Sequence, residues 1–268
     1  MLLNFNLISI ITTTYNRKHT LGRLASSLSA QTSKNFEWIV VDDGSVDGTQ
    51  AYIKKTRDSS EFLVSYFWQK NAGKHSALNL GVRAANGGWI FIVDSDDCLT
   101  STAIEKIELN IQIYSNQDVV GLCFRKAFLD GQLIGRVVKN DNPMTMTPTE
   151  GGRYFGGDLA YVFKTHSMRR HVFPIFNGEK FVPELYIWNK ISDDGGIIFF
   201  PKICIYLCEY LTDGYSANFK KNLKSNPRGF YLHYSRQIFR EKSVFMIVKN
   251  FIRSVQCIGL IIAMRFKV

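Results

Sequence analysis

The run Trp89-Ile90-Phe91-Ile92-Val93-Asp94-Ser95-Asp96-Asp97 decides the fold. Five apolar residues without Pro or Gly read as a strand buried on both faces, the kind found inside a parallel sheet. Three carboxylates within four positions then close the run. A carboxylate at the C-terminal end of such a strand lies where open α/β sheets bind ligands. Two of these side chains can converge once the chain turns, and converging carboxylates repel unless a cation or proton offsets them. A hard divalent ion, Mg²⁺ or Mn²⁺, shared with a ligand's phosphates is the expected occupant. The alternative is that the aspartates cap a helix beginning near Ser101.

Working outward, Leu7-Ile8-Ser9-Ile10-Ile11 runs into Thr12-Thr13-Thr14-Tyr15-Asn16-Arg17, and Trp38-Ile39-Val40-Val41 runs into Asp42-Asp43-Gly44-Ser45. A further strand is predicted over residues 64–68, before the polar loop 69–75. Leu21, Leu24, Ala25 and Leu28 fall at i, i+3, i+4, i+7 and predict a helix. Residues 48–56 and the series Leu78, Val82, Ala85 predict two more. Strands alternating with helices through short loops predict a parallel sheet with right-handed crossovers. Three strand ends then deliver polar groups to one rim. A dinucleotide site needs Gly-x-Gly-x-x-Gly after the first strand; residues 12–17 hold no glycine, which excludes that class. Tyr15 instead suits stacking on a base, and Asp43 suits accepting from a pyrimidine N–H or a ribose hydroxyl. The plain alternatives are a core tyrosine and an Asx turn before Gly44.

Residues 220–268 hold eleven Lys or Arg against the single acid Glu241, so the whole net charge of +10 resides there and the rest is neutral. Such a tail suits nucleic acid, an anionic membrane or a partner protein, and the absence of a basic-aromatic recognition module argues against nucleic acid. Five cysteines, odd in number and without C-x-x-C, read as reduced buried thiols of a cytoplasmic protein. Residues 7–11 read as a strand, not a signal sequence.

Together these motifs resemble family-2 glycosyltransferases with the GT-A fold, an α/β, Rossmann-like architecture. The matching pieces are residues 9–17, then 39–45 with Asp47 and Thr49, then Asn71-Ala72-Gly73-Lys74 with Ala77, Asn79 and Gly81, then 91–97. The stretches 178–184 and 210–216 resemble a bacterial subgroup. The resemblance implies a nucleotide-diphosphosugar donor, with UDP-sugar expected, a divalent metal, and inverting transfer to a hydroxyl of a glycan or lipid-linked acceptor in cell-surface polysaccharide synthesis. By position it implies that Thr13, Tyr15 and Asp43 hold the nucleoside, with Asn16 and Arg17 on the same donor loop. Asp94 and Ser95 lie beside the ribose and base, and Lys74 approaches the donor. Asp96, with Asp97 as neighbour, addresses metal and diphosphate. Many members carry a Glu-Asp pair as the base motif. This chain has Pro183-Glu184-Leu185, so the base role passes to Glu184, with Glu179 as alternative. A charge at a helix N-terminus is the other reading of Glu184.

Residues 144–157 read as a mobile loop able to fold over the donor. Phe155, Trp188 and Tyr210 are either faces for acceptor sugars or core residues. Four of the five histidines, His75, His166, His171 and His233, show no metal-ligand spacing. From Lys242 onwards a basic amphipathic helix is predicted, with Lys242, Lys249, Arg253, Gln256 and Lys267 on one face. Its longest uncharged run, Ser254 to Met264, is too short to span a bilayer, so the expectation is an interfacial helix on an anionic membrane or a helix packed on protein. The expected organisation is a domain over residues 1–219, split into a donor half (1–100) and an acceptor half (101–219), and a tail over 220–268. The expected location is the inner face of the cell membrane. Two rival classes are a catalytically silent sugar-nucleotide binder and a nucleotidyltransferase. The Gly-rich, Arg- or Lys-bearing loop usual in the latter is missing after the first strand.

Overall fold

The computed structural model describes residues 3–114, 117–209 and 218–265. Strands β1 (Asn4–Thr14), β2 (Phe36–Asp42), β3 (Leu63–Trp68) and β4 (Gly87–Ile92) pair in parallel in the order β3-β2-β1-β4. Helices α1 (Lys18–Ser29), α2 (Thr49–Ser59) and α3 (Lys74–Ala84) cross over between them. Helix α1 buries Leu21, Leu24, Ala25 and Leu28, the four positions its spacing predicts. Every residue of β2 is buried, because helices cover both faces of a parallel sheet. The chain steps outward from β1 to β3, then returns to pair β4 on the other side of β1. That reversal opens a crevice at the C-terminal ends of β1 and β4, where such sheets take ligands.

The remaining strands extend the same sheet. They are β5 (Cys98–Leu99), β6 (Val119–Phe128), β7 (Met144–Thr145), β8 (Leu159–Lys164) and β9 (Gly196–Cys208), with α4 (Ala103–Tyr114), α5 (Pro148–Phe155), α6 (Thr165–Arg170) and α7 (Glu184–Ile191) between them. The order continues β4-β8-β6-β9-β5, with β8 antiparallel to both β4 and β6. One core layer gathers Trp38, Phe91, Leu122 and Phe200; the other gathers Val41, Leu78, Phe163 and Trp188. The C-terminal residues fold as α8 (Phe219–Ser225), α9 (Pro227–Gln237) and α10 (Val244–Arg265).

Two expectations are corrected. Residues 144–157 are ordered, forming β7 and α5. Helix α5 starts with a capping box: the Glu150 amide donates to Thr147 Oγ1 at 3.2 Å, the Thr147 amide donates to Glu150 Oε2 at 3.1 Å, and Pro148 occupies the first turn. Helix α10 has 22 residues and is long and apolar enough to cross a membrane by length and composition. The uncharged run understated it, because Lys249 and Arg253 sit inside the helix.

Glu150 also accepts a hydrogen bond from Lys242 Nζ at 2.6 Å. That bond, then the Thr147 amide, hold its carboxyl down at about 2. A depressed acid stabilises the fold above its unfolded value near 4.5, and the contribution is lost as pH falls towards the folded value. Glu150→Ala is therefore expected to cost about 1 kcal/mol at neutral pH. In chemical denaturation the gap from the parent should narrow as pH drops from 4.5 towards 2.

Candidate active site

A cleft of about 1160 Å³ lies over the β1–β4 reversal and is bordered by both halves of the sheet. From β1 and its loop come Thr13, Tyr15 and Arg17; Tyr15 is half exposed, as a stacking face must be. Asp43 borders the cleft after β2. Its Oδ1 accepts from Gln69 Nε2 at 2.7 Å and the Ala72 amide at 2.8 Å, and its Oδ2 accepts from the Gly73 amide at 2.8 Å. Asp43 thus braces the loop that carries Lys74. With about four acceptor positions on a carboxylate, one remains for a ligand donor. Gly73 makes this loop possible: its φ is +96°, and a Cβ there would run into the Lys180 carbonyl.

The three aspartates after β4 have separate surroundings. Lys74 Nζ lies 2.7 Å from Asp94 Oδ1. Burial pushes the Asp94 carboxyl up, but the charges of Lys74 and Lys126 outweigh it and hold the group below the usual range. Asp97 is buried, accepts from the Tyr206 hydroxyl at 2.7 Å, and is pushed up to about 7 by burial and by Asp94. Among the described residues, no other side chain is hydrogen-bonded to the Asp96 carboxylate, which borders the cleft. Burial, then the charge of Asp94, push it up. A cation would relieve that cost.

Among the described residues no cluster of three or more His, Cys, Asp or Glu forms a metal cage. A site of that kind fits Mg²⁺ or Mn²⁺ held by one or two carboxylates together with ligand phosphates. Asp96 is the group disposed for it. Asp97, paired with Tyr206, supports the turn from behind.

From the other side of the cleft, Glu184 opens α7 immediately after Pro183. Its Oε1 lies 2.8 Å from Lys74 Nζ, an ion contact without the alignment of a hydrogen bond. Burial opposes the charge on Lys74, yet Asp94 and Glu184 raise its pKa well above the ordinary value. One ammonium therefore joins a carboxylate after β4 to one at the start of α7.

Two sequence candidates do not reach the cleft. Glu179 is buried and accepts from the amides of Arg228 and Gly229, each at 2.9 Å, so both oxygens cap α9. Asn16, at φ +52°, donates its amide to Ser45 Oγ at 2.8 Å and accepts from the Val46 amide at 2.9 Å. It fastens the β1 loop to the β2 loop. Phe155 and Trp188 are core residues, stacked on Phe199 and tilted against Phe163 respectively; Tyr210 and the stretch 210–216 lie outside the described residues. Tyr206 and Lys126 were not anticipated. The Tyr206 hydroxyl also accepts from the Asp94 amide at 3.0 Å, and Lys126 Nζ sits 3.8 Å above its ring. A lysine inside the apolar strand 119–128 was the available signal.

The glycosyl transferase family 2 model matches residues 9–176, more than half of the sequence. The chain belongs to glycosyl transferase family 2. An uncharacterized glycosyltransferase of Nostoc sp. is 30% identical to this family-2 chain over 155 residues, covering 58% of the chain and 44% of that protein. GlyA, a glycosyltransferase of Streptococcus pneumoniae, is 32% identical over 114 residues, covering 42% of the chain and 16% of that protein. The match thus spans less than half the length of either relative. TarS of S. aureus, solved with UDP-GlcNAc, superposes with a TM-score of 0.70 at 17% identity over 95% of this chain and 72% of TarS. The mannosyltransferase PcManGT of Pyrobaculum calidifontis, solved with GDP-Man and Mn²⁺, gives 0.60 at 18% identity over 96% and 74%. Those likenesses establish the fold of the family-2 chain, which is GT-A. Glu184 lies beyond the residues that the family model matches, so its place in the site rests on geometry.

Proposed function

We propose that this protein transfers a sugar, with inversion, from a nucleotide-diphosphosugar to a hydroxyl of a glycan or lipid-linked acceptor in cell-surface polysaccharide synthesis, on the cytoplasmic side of the membrane. One observation carries the reading: Lys74 Nζ bridges Asp94 at 2.7 Å and Glu184 at 2.8 Å, bringing a donor-side acid and a candidate base to one point. UDP-sugar is the favoured donor, in keeping with the UDP-GlcNAc bound to TarS.

Tyr15 stacks on the base, Asp43 accepts from it, and Asp94 faces the ribose. Asp96 would hold a divalent ion, which would supply Lewis-acid stabilisation of negative charge on a diphosphate leaving group. Glu184 takes the proton from the acceptor hydroxyl opposite the leaving group, with Lys74 Nζ holding its carboxylate beside Asp94. Thermal melts of the full chain with Mn²⁺ and a panel of nucleotide sugars test the donor class. Stabilisation by at least one UDP-sugar and by UDP is expected; no shift with any nucleotide would reject the reading.

A further inference from the structure

The cleft continues past Glu184 to the C-terminal helices, where Phe219, His233, Lys249, Asn250 and Arg253 line it. Asn250 is only 4% exposed, yet its Nδ2 has no hydrogen-bond partner. A buried donor left unmatched costs about 1–3 kcal/mol, so this amide is set for an acceptor that enters the cleft. Lys249 precedes it and Arg253 follows one turn later, with the Arg253 guanidinium 5.4 Å from the Phe219 ring centre. The acid at this end, Glu241, is already paired with Arg153. Lys249, Asn250 and Arg253 border the same cleft, Arg253 Nη1 also donating to Gln256 Oε1 at 2.7 Å, and two cations beside an amide N–H suit a phosphate.

The outer side of the same helix is apolar. Phe251, Ile252, Val255, Ile258 and Ile262 are 41–59% exposed, whereas Asn250, Ser254 and Cys257 face inward against α9 and α8. The helix is thus amphipathic with its greasy face outward, and at 22 residues it offers a stripe roughly 33 Å long. A bilayer interface is the occupant that matches. The eleven basic residues and one acidic residue of positions 220–268 suit an anionic leaflet. Crossing the bilayer would drag the packed α9, with Arg228 and Arg236, into hydrocarbon.

We propose that α10 lies in the interface of an anionic membrane and that the cleft beside it seats the phosphate of a lipid-linked acceptor, which rests on the transferase reading only for the hydroxyl presented to Glu184. The cations that hold the phosphate and the apolar stripe that meets the bilayer belong to one helix. An acceptor anchored in the leaflet therefore enters the cleft from the membrane side.

Flotation of the full chain with phosphatidylcholine vesicles doped with a polyprenyl phosphate, or with equal charge of phosphatidylglycerol, tests this. Stronger binding to the polyprenyl phosphate vesicles is expected. The double variant Lys249→Gln/Arg253→Gln should lose that preference and bind roughly 30-fold more weakly, with UDP-induced thermal stabilisation unchanged. Ile252→Glu/Ile258→Glu should abolish flotation on both vesicle types. Equal binding to both lipids, full binding by either variant, or displacement by inorganic phosphate without any vesicle binding would overturn the proposal. Failure of UDP to stabilise the parent, with the vesicle preference intact, would reject the donor reading and leave this site standing.

Discussion

Glu184→Gln is expected to lower turnover by about 10²–10⁴-fold while leaving nucleoside diphosphate affinity unchanged. The amide keeps the shape of the side chain but cannot take a proton. Lys74 retains its 2.7 Å contact with Asp94, so the donor side stays in place. The control is Glu179→Gln. Glu179 caps α9 through two backbone amides and does not border the cleft, so that change should lower the melting temperature and spare the chemical step. Single-turnover assays and melts on both variants separate these roles. Full turnover in Glu184→Gln, or a rate loss in Glu179→Gln without a change in stability, would remove Glu184 as the base.

Asp96→Ala is expected to abolish the metal dependence of donor binding, making affinity in Mn²⁺ the same as in EDTA by calorimetry. The neighbouring carboxylates are already committed, Asp94 to Lys74 and Asp97 to Tyr206. Asp97→Asn should therefore destabilise the turn while keeping a metal-dependent response. The opposite pattern, with metal dependence surviving in Asp96→Ala and vanishing in Asp97→Asn, would reassign the metal to Asp97.

The four parallel strands β1 to β4 and their helices were legible because their signals are local. Buried parallel strands are continuous apolar runs, and α1 announces its inner face by spacing alone. The rest of the sheet was not. β8 lies antiparallel between β4 and β6, and no residue within it encodes that choice of partners. Asp97 and Tyr206 meet across 109 residues of sequence, which no window detects. Capping explains the error over 144–157: Thr147-Pro148-Thr149-Glu150 is a helix start, whereas the nearby glycines suggested a loop. At the tail the helix itself was predicted from Lys242 onwards, but counting the gap between charges hid that it is long and apolar enough to cross a membrane.

Tyr206 has a consequence for how the protein is made. Its hydroxyl bonds both to the amide of Asp94 and to the carboxylate of Asp97, yet it sits on the ninth strand. A nascent polypeptide emerging from the ribosome can form the first four strands long before that tyrosine is translated. Its aspartate turn then lacks its brace. The aspartate turn is therefore completed late in synthesis, when the hydroxyl of residue 206 arrives beneath it.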